Sequence, residues 1–156
     1  MKKIAISALL IVTLLVLTSC QMSRTAISAE EFKTAAEAAG YTVQDSKDLL
    51  DSDLISDFFI AYKEDGANID YQIEFLVLPD VNDAKATYEK NCSDFEAKKG
   101  NFSSYSSLSL GNYSVYTQTS GGRYFVVSRT DNTLVFVDAD EKYKEEISEF
   151  LKTIGY

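Results

Sequence analysis

The chain contains no histidine and no tryptophan, and only two cysteines, Cys20 and Cys92. Without histidine there can be no Ser-His-Asp triad, no Cys-His pair and no histidine-based zinc or iron site. Two thiols are also too few for a four-cysteine zinc site. No phosphate-cradling Gly-rich loop is present, because Gly121-Gly122 lies between two strand-like runs and reads as a turn. Positive charge is scarce: Lys and Arg number 15 against 24 Asp and Glu, a net charge of −9. Such a surface repels phosphates and anionic headgroups, so nucleic-acid binding is not expected. Residues 4–17 form the one extended apolar run, shorter than the roughly 20 residues that a membrane-spanning helix needs.

What is present begins with Met1-Lys2-Lys3, the apolar run, and then Leu17-Thr18-Ser19-Cys20. A basic start, a short apolar core and small residues at its end are the parts of an export signal. A plain secretory signal is the simpler reading. The aliphatic-small-small-Cys ending, however, resembles the lipobox of bacterial lipoproteins, and the texture of the whole looks like the small lipoproteins of Gram-positive bacteria. That resemblance implies cleavage between Ser19 and Cys20, a diacylglyceryl group on the Cys20 sulfur, and an anchor on the extracytoplasmic face of the cell membrane. One acyl chain holds a protein marginally and two hold it stably, at about 0.8 kcal/mol per buried methylene. Membrane lipid is then the first partner of the chain, through Cys20.

Loss of the signal, residues 1–19, also removes Lys2 and Lys3, so the net charge goes from −9 to −11. Residues 20–27 read as the lipidated cysteine and a polar tether, and residues 28–156 as a single domain large enough to bury a core. An alkylated Cys20 leaves Cys92 without an intrachain partner, so no disulfide is expected.

Within the domain, Ser28 with Glu31 forms a capping-box pattern before Phe32, Ala35, Ala36 and Ala39, and Gly40 ends that helix. Tyr41, Thr42 and Val43 suggest a short extended piece, and the acidic stretch to Asp57 reads poorly. Residues 57–62 and 69–78 flank a turn-rich connection and predict a hairpin. Asp80 can cap a second helix with Val81, Ala84, Tyr88, Cys92 and Phe95 on its apolar stripe. Four runs, 104–110, 113–119, 123–130 and 133–138, are separated by short Gly and Asn turns and predict a meander. A last helix carries Tyr143, Ile147, Phe150, Leu151 and Ile154. The expected fold is α+β, an antiparallel sheet of about five to six strands with three helices on one face. The expected order is helix, strand pair, helix, strand meander, helix.

Candidate chemistry is thin. Cys92 has Glu89, Asp94 and Glu96 close in sequence, which raise a thiol's pKa, and its spacing to Tyr88 and Phe95 puts it on an apolar stripe. It reads as an inert packing thiol. Asp45, Asp48, Asp51, Asp53 and Asp57 crowd one stretch, and Asp138, Asp140 and Glu141 another, without the spacing of a calcium loop. Both clusters read as solvated or helix-capping carboxylates, and no metal or cofactor is expected. A glycosidase pair is disfavoured because sugar sites usually offer tryptophan platforms.

The one positive feature is aromatic: the meander carries Tyr105, Tyr113, Tyr116, Tyr124 and Phe125. Alternation puts Tyr113 and Tyr116 on opposite faces, and Tyr124 and Phe125 likewise, so both faces carry aromatics. If helices cover one face, those of Tyr113, Tyr116, Tyr124 and Phe125 on the other are the candidate binding face, suited to a protein, peptide or envelope glycan. The expectation is therefore a non-catalytic binding or accessory module. The alternative is a carboxylate-based or metal-dependent hydrolase of the cell envelope.

Overall fold

The computed structural model describes residues 23–50, 53–66 and 68–156. The signal segment, the Ser19/Cys20 cleavage site and the lipidation site at Cys20 lie outside the described residues.

Helix α1, Ala29–Ala38, starts on the capping box: Ser28 Oγ accepts from the Glu31 amide at 3.2 Å, and Glu31 Oε2 accepts from the Ser28 amide at 2.7 Å. Strand β1, Thr42–Asp45, follows, then a 3-10 turn over Lys47–Leu49. Strands β2, Asp57–Asp65, and β3, Asn68–Val77, form a hairpin with a register shift between Lys63 and Glu64. Helix α2, Val81–Ala97, is capped by Asp80, whose Oδ1 accepts from the Asn82 amide at 2.6 Å. The meander is β4, Ser103–Leu110; β5, Tyr113–Ser120; β6, Arg123–Thr130; and β7, Thr133–Asp140. Two-residue loops join these strands. Gly121 and Gly122 have φ of 58° and 77°, the left-handed backbone that such tight hairpins need. Helix α3, Lys144–Thr153, closes the described chain after a 3-10 turn capped by Asp140.

All strands join one antiparallel sheet in the order β1-β2-β3-β7-β6-β5-β4. The β3–β7 pairing, with Ile73 opposite Val137 and Phe75 opposite Val135, stitches the hairpin to the meander. This corrects the sequence-based expectation on three points. There are seven strands among the described residues rather than about five to six. The order also differs, because β1 precedes the hairpin and pairs with β2; its four residues are too few and too exposed to show a period of two. Finally, the helices cover both faces of the sheet, not one.

The reason for two covered faces lies in the central strands. On β6, seven of eight residues are buried, so neither of its faces meets water. On one face α1 and α3 bury Phe32, Phe75, Ile73, Val126, Val135, Val137, Ile147 and Phe150, with the rings of Phe32 and Phe75 stacked at 4.5 Å. On the other, α2 buries Phe95 against Phe125 at 4.9 Å and Phe136 at 5.1 Å, together with Ala84, Val127 and Leu134. Each fully buried aromatic or aliphatic side chain contributes about 1.5–3 kcal/mol through lost apolar surface. Helix α1 packs over β1, β2 and β3 and α2 over β6 and β7, so the β4 end of the sheet receives the least cover.

Candidate functional site

The four aromatic residues expected to form a binding face are inside the protein. Tyr113, Tyr116, Tyr124 and Phe125 are 4%, 3%, 5% and 3% exposed. The register also divides them: Tyr116 and Phe125 face α2, whereas Tyr113 and Tyr124 face the α1/α3 side. The hydroxyls of Tyr124 and Tyr116 are satisfied internally. The Tyr124 hydroxyl meets Ser148 Oγ at 3.0 Å, and the Tyr116 hydroxyl donates to Gln118 Oε1 at 2.8 Å. Gln118, 1% exposed, in turn donates to the Phe95 carbonyl at 2.8 Å, which fastens the end of α2 to β5.

Cys92 is half-buried beside the α2 core, and burial pushes its thiol up, with Glu96 and Glu89 adding to the rise. The acidic clusters do not converge. Asp45 lies on β1, Asp48 in the 3-10 turn and Asp57 on β2, while Asp51 lies outside the described residues. Asp138 is tied up by cations, with Lys98 Nζ at 2.9 Å and Arg123 Nη2 at 2.6 Å. Among the described residues no group of three or more His, Cys, Asp or Glu is placed to hold a metal ion.

The surface that remains open is at β4. This strand ends the sheet, and all eight of its residues, Ser-Ser-Tyr-Ser-Ser-Leu-Ser-Leu, are exposed. Its outer backbone groups have no strand partner among the described residues. Tyr105, 62% exposed, stacks on Tyr116 at 6.2 Å with Lys99 Nζ 3.8 Å from its ring centre. Leu108 and Leu110 lie on the opposite face beside Val115 and Tyr113, beyond the reach of α1 and α3. Phe102, 94% exposed, precedes the strand. The sequence pattern conceals this, because β4 has weak alternation and much serine and resembles any other rung of the meander.

A second feature is where the chain enters the domain. The expected tether ran to residue 27, yet Arg24 is already fastened to the body. Its amide donates to Asn112 Oδ1 at 3.0 Å, its Nη1 to the Gly155 carbonyl at 2.7 Å, and its guanidinium lies 3.5 Å from the Tyr113 ring centre. Asn112 Nδ2 returns a bond to the Arg24 carbonyl at 2.8 Å. Entry is thus at the β4–β5 turn.

Beside that turn, between α2 and the sheet, is a polar pocket of about 350 Å³ lined by Lys85, Tyr88, Glu89, Ser109, Gly111, Ser114 and Arg129. Burial raises the Tyr88 hydroxyl above its ordinary pKa, so it stays protonated and available as a donor. On the other flank of α2 an apolar groove of about 280 Å³ runs between Leu54, Ile55, Leu76, Leu78 and Ala86.

No protein-family model matches the chain, and no curated protein is significantly similar to it. Among solved structures, a GTP-binding regulator from Thermotoga maritima is similar at 20% identity, over 82% of this chain and 84% of that one, with a TM-score of 0.48. A likeness of that size carries no functional argument. No helix among the described residues is long and apolar enough to cross a membrane.

Proposed function

We propose that the chain is a lipid-anchored extracytoplasmic binding module that takes a protein or peptide partner by strand addition at β4, without catalysing a reaction on it. The observation that carries this reading is the β4 edge itself. Natural edge strands are usually protected against pairing by lysine, proline, a bulge or short length. β4 has eight exposed residues with no charge and no proline. The opposite edge, β1, is only four residues long and ends on Asp45. An added strand would satisfy the free β4 backbone, and Tyr105, Leu108 and Leu110 would supply apolar contacts on alternate faces.

The lipobox Leu17-Thr18-Ser19-Cys20 supports the compartment, and the Arg24 latch adds a geometric consequence. Only three residues lie between Cys20 and Arg24, four Cα–Cα steps with a reach of at most about 14 Å. The Leu110 end of β4 adjoins the latched turn, so an anchor on Cys20 would keep this end of the edge close to the lipid surface. A partner in the same membrane, or in the envelope just above it, is within reach.

The test is photo-crosslinking in native membranes from a probe placed at Tyr105, in the acylated chain. One reproducible partner is expected, and it should be lost in Ser106→Lys and Leu108→Lys, which charge the exposed edge without touching either core. A crosslink that survives both substitutions, or the recovery of no partner, overturns strand addition. Cys20→Ser should move the protein out of the detergent phase, and retention there removes the anchor.

A further inference from the structure

The polar pocket under α2 contains a feature that packing does not explain. Arg129, on β6, is 3% exposed and lines this pocket from the sheet side. A guanidinium keeps its charge in any protein environment, and a buried charge without a counter-ion is strongly disfavoured. Yet among the described residues no carboxylate lies within ion-pair distance of Arg129, although the chain carries a net charge of −9 and has acids in abundance. Its partners are neutral: Nη1 donates to the Asp131 carbonyl at 2.9 Å and Nη2 to Ser114 Oγ at a long 3.4 Å.

The surrounding groups are those that an anion would use. Lys85 lies across the pocket on α2, Ser109 and Ser114 offer hydroxyls 2.9 Å from one another, and Tyr88 offers a protonated phenol. We propose that this pocket binds a small oxyanion, a carboxylate or phosphate group, with Arg129 as its buried counter-charge and Lys85 closing over it from α2. The planar fork of the guanidinium matches two oxygens of either group. A volume of about 350 Å³ is at the lower end for small-molecule sites, so the ligand is of metabolite size. Glu89 lines the same wall as Lys85 without pairing with it, which disfavours a polyanion and suits a ligand with one anionic group.

The proposal does not depend on strand addition at β4, and the two are separable by experiment. The full chain in neutral detergent is titrated with sodium acetate and with inorganic phosphate, against sodium chloride at matched ionic strength, following melting temperature and binding heat. A saturable rise above the chloride control is expected for at least one of the two anions. The affinity should fall about tenfold or more in Arg129→Gln, and about two- to fivefold in Lys85→Ala, an exposed site whose truncation leaves the fold intact. Arg129→Lys keeps the charge but loses the fork, and should bind more weakly than the native chain. Leu108→Lys should bind the anion as the native chain does. The proposal is overturned if neither anion acts beyond chloride, which includes an adventitious ionic effect only, or if Lys85→Ala and Arg129→Lys both bind like the native chain.

Discussion

Replacing Phe95 by alanine probes the least expected part of the fold, the helix on the second face. Helix α2 is 17 residues long, but only Ala84 and Phe95 are fully buried along it. Phe95 is 1% exposed, and its ring lies 4.9 Å from Phe125, 5.1 Å from Phe136 and 6.3 Å from Tyr116. Truncation removes the apolar burial and leaves a cavity bounded by three rings, at a cost of about 3–5 kcal/mol. That is a large share of the roughly 5–15 kcal/mol by which domains are stable. Gln118 still holds the backbone carbonyl of residue 95, so the helix end stays tethered while its packing is lost. Urea unfolding of the full chain measures the loss. Phe102→Ala, at a site 94% exposed, is the control and should shift stability by no more than about 0.5 kcal/mol. Hydrogen exchange should quicken in α2 before the central strands. If Phe95→Ala costs less than about 1 kcal/mol, or no more than Phe102→Ala, then α2 is not docked through this ring and the two-faced core is wrong.

Other expectations concern titrating groups. Burial raises the Glu74 carboxyl above its ordinary value, partly offset by the bond from Gln72 Nε2 at 2.9 Å. A raised folded-state pKa gives stability that is present below the unfolded value and lost as pH rises through the folded one. Glu74→Gln should therefore be more stable than the native chain at neutral pH, with the gap closing below about pH 4.3; equal urea midpoints at neutral pH would refute it. The Tyr156 hydroxyl is pushed up to about 12 by burial and bonds Thr133. By the same sign, the native chain should lose stability as pH climbs from about 10 through that value, whereas Tyr156→Phe should show a flatter alkaline limb and cost about 1 kcal/mol at neutral pH. Cys92 should react with a bulky thiol reagent far more slowly in the native protein than in the urea-unfolded chain, and equal rates would contradict its packing between α2 and the sheet.

Short-range signals were legible in the sequence because the physics behind them is short-range. The Ser28–Glu31 box, the Asp80 cap and the left-handed Gly pair at 121 and 122 each act within a few residues, and the structure contains all three. On β3 buried Tyr71, Ile73 and Phe75 alternate with Gln72 and Glu74, a period of two visible in the residue types themselves. β1 was poorly legible, because four mostly exposed residues owe their strand to pairing with β2 rather than to their own pattern. The candidate site was misplaced for a related reason. A tyrosine has the same apolar ring and polar tip whether it faces water or a helix, so only the cover above it separates Tyr105 at 62% exposure from Tyr116 at 3%.

By itself, then, the amino-acid order determined the acidic charge, the absence of histidine chemistry and the local caps and turns, and it holds the stretch ending at Cys20 that resembles a lipobox. These depend on composition and on neighbours along the chain. Tertiary structure alone decided that β3 pairs with β7, that α2 crosses to the far face, that β4 is left as an unprotected edge, and that Arg129 is buried at a pocket with no carboxylate within ion-pair distance of it among the described residues. Each of these is a contact between residues distant in sequence, and neither periodicity nor propensity carries information about which distant surface arrives to cover a given face.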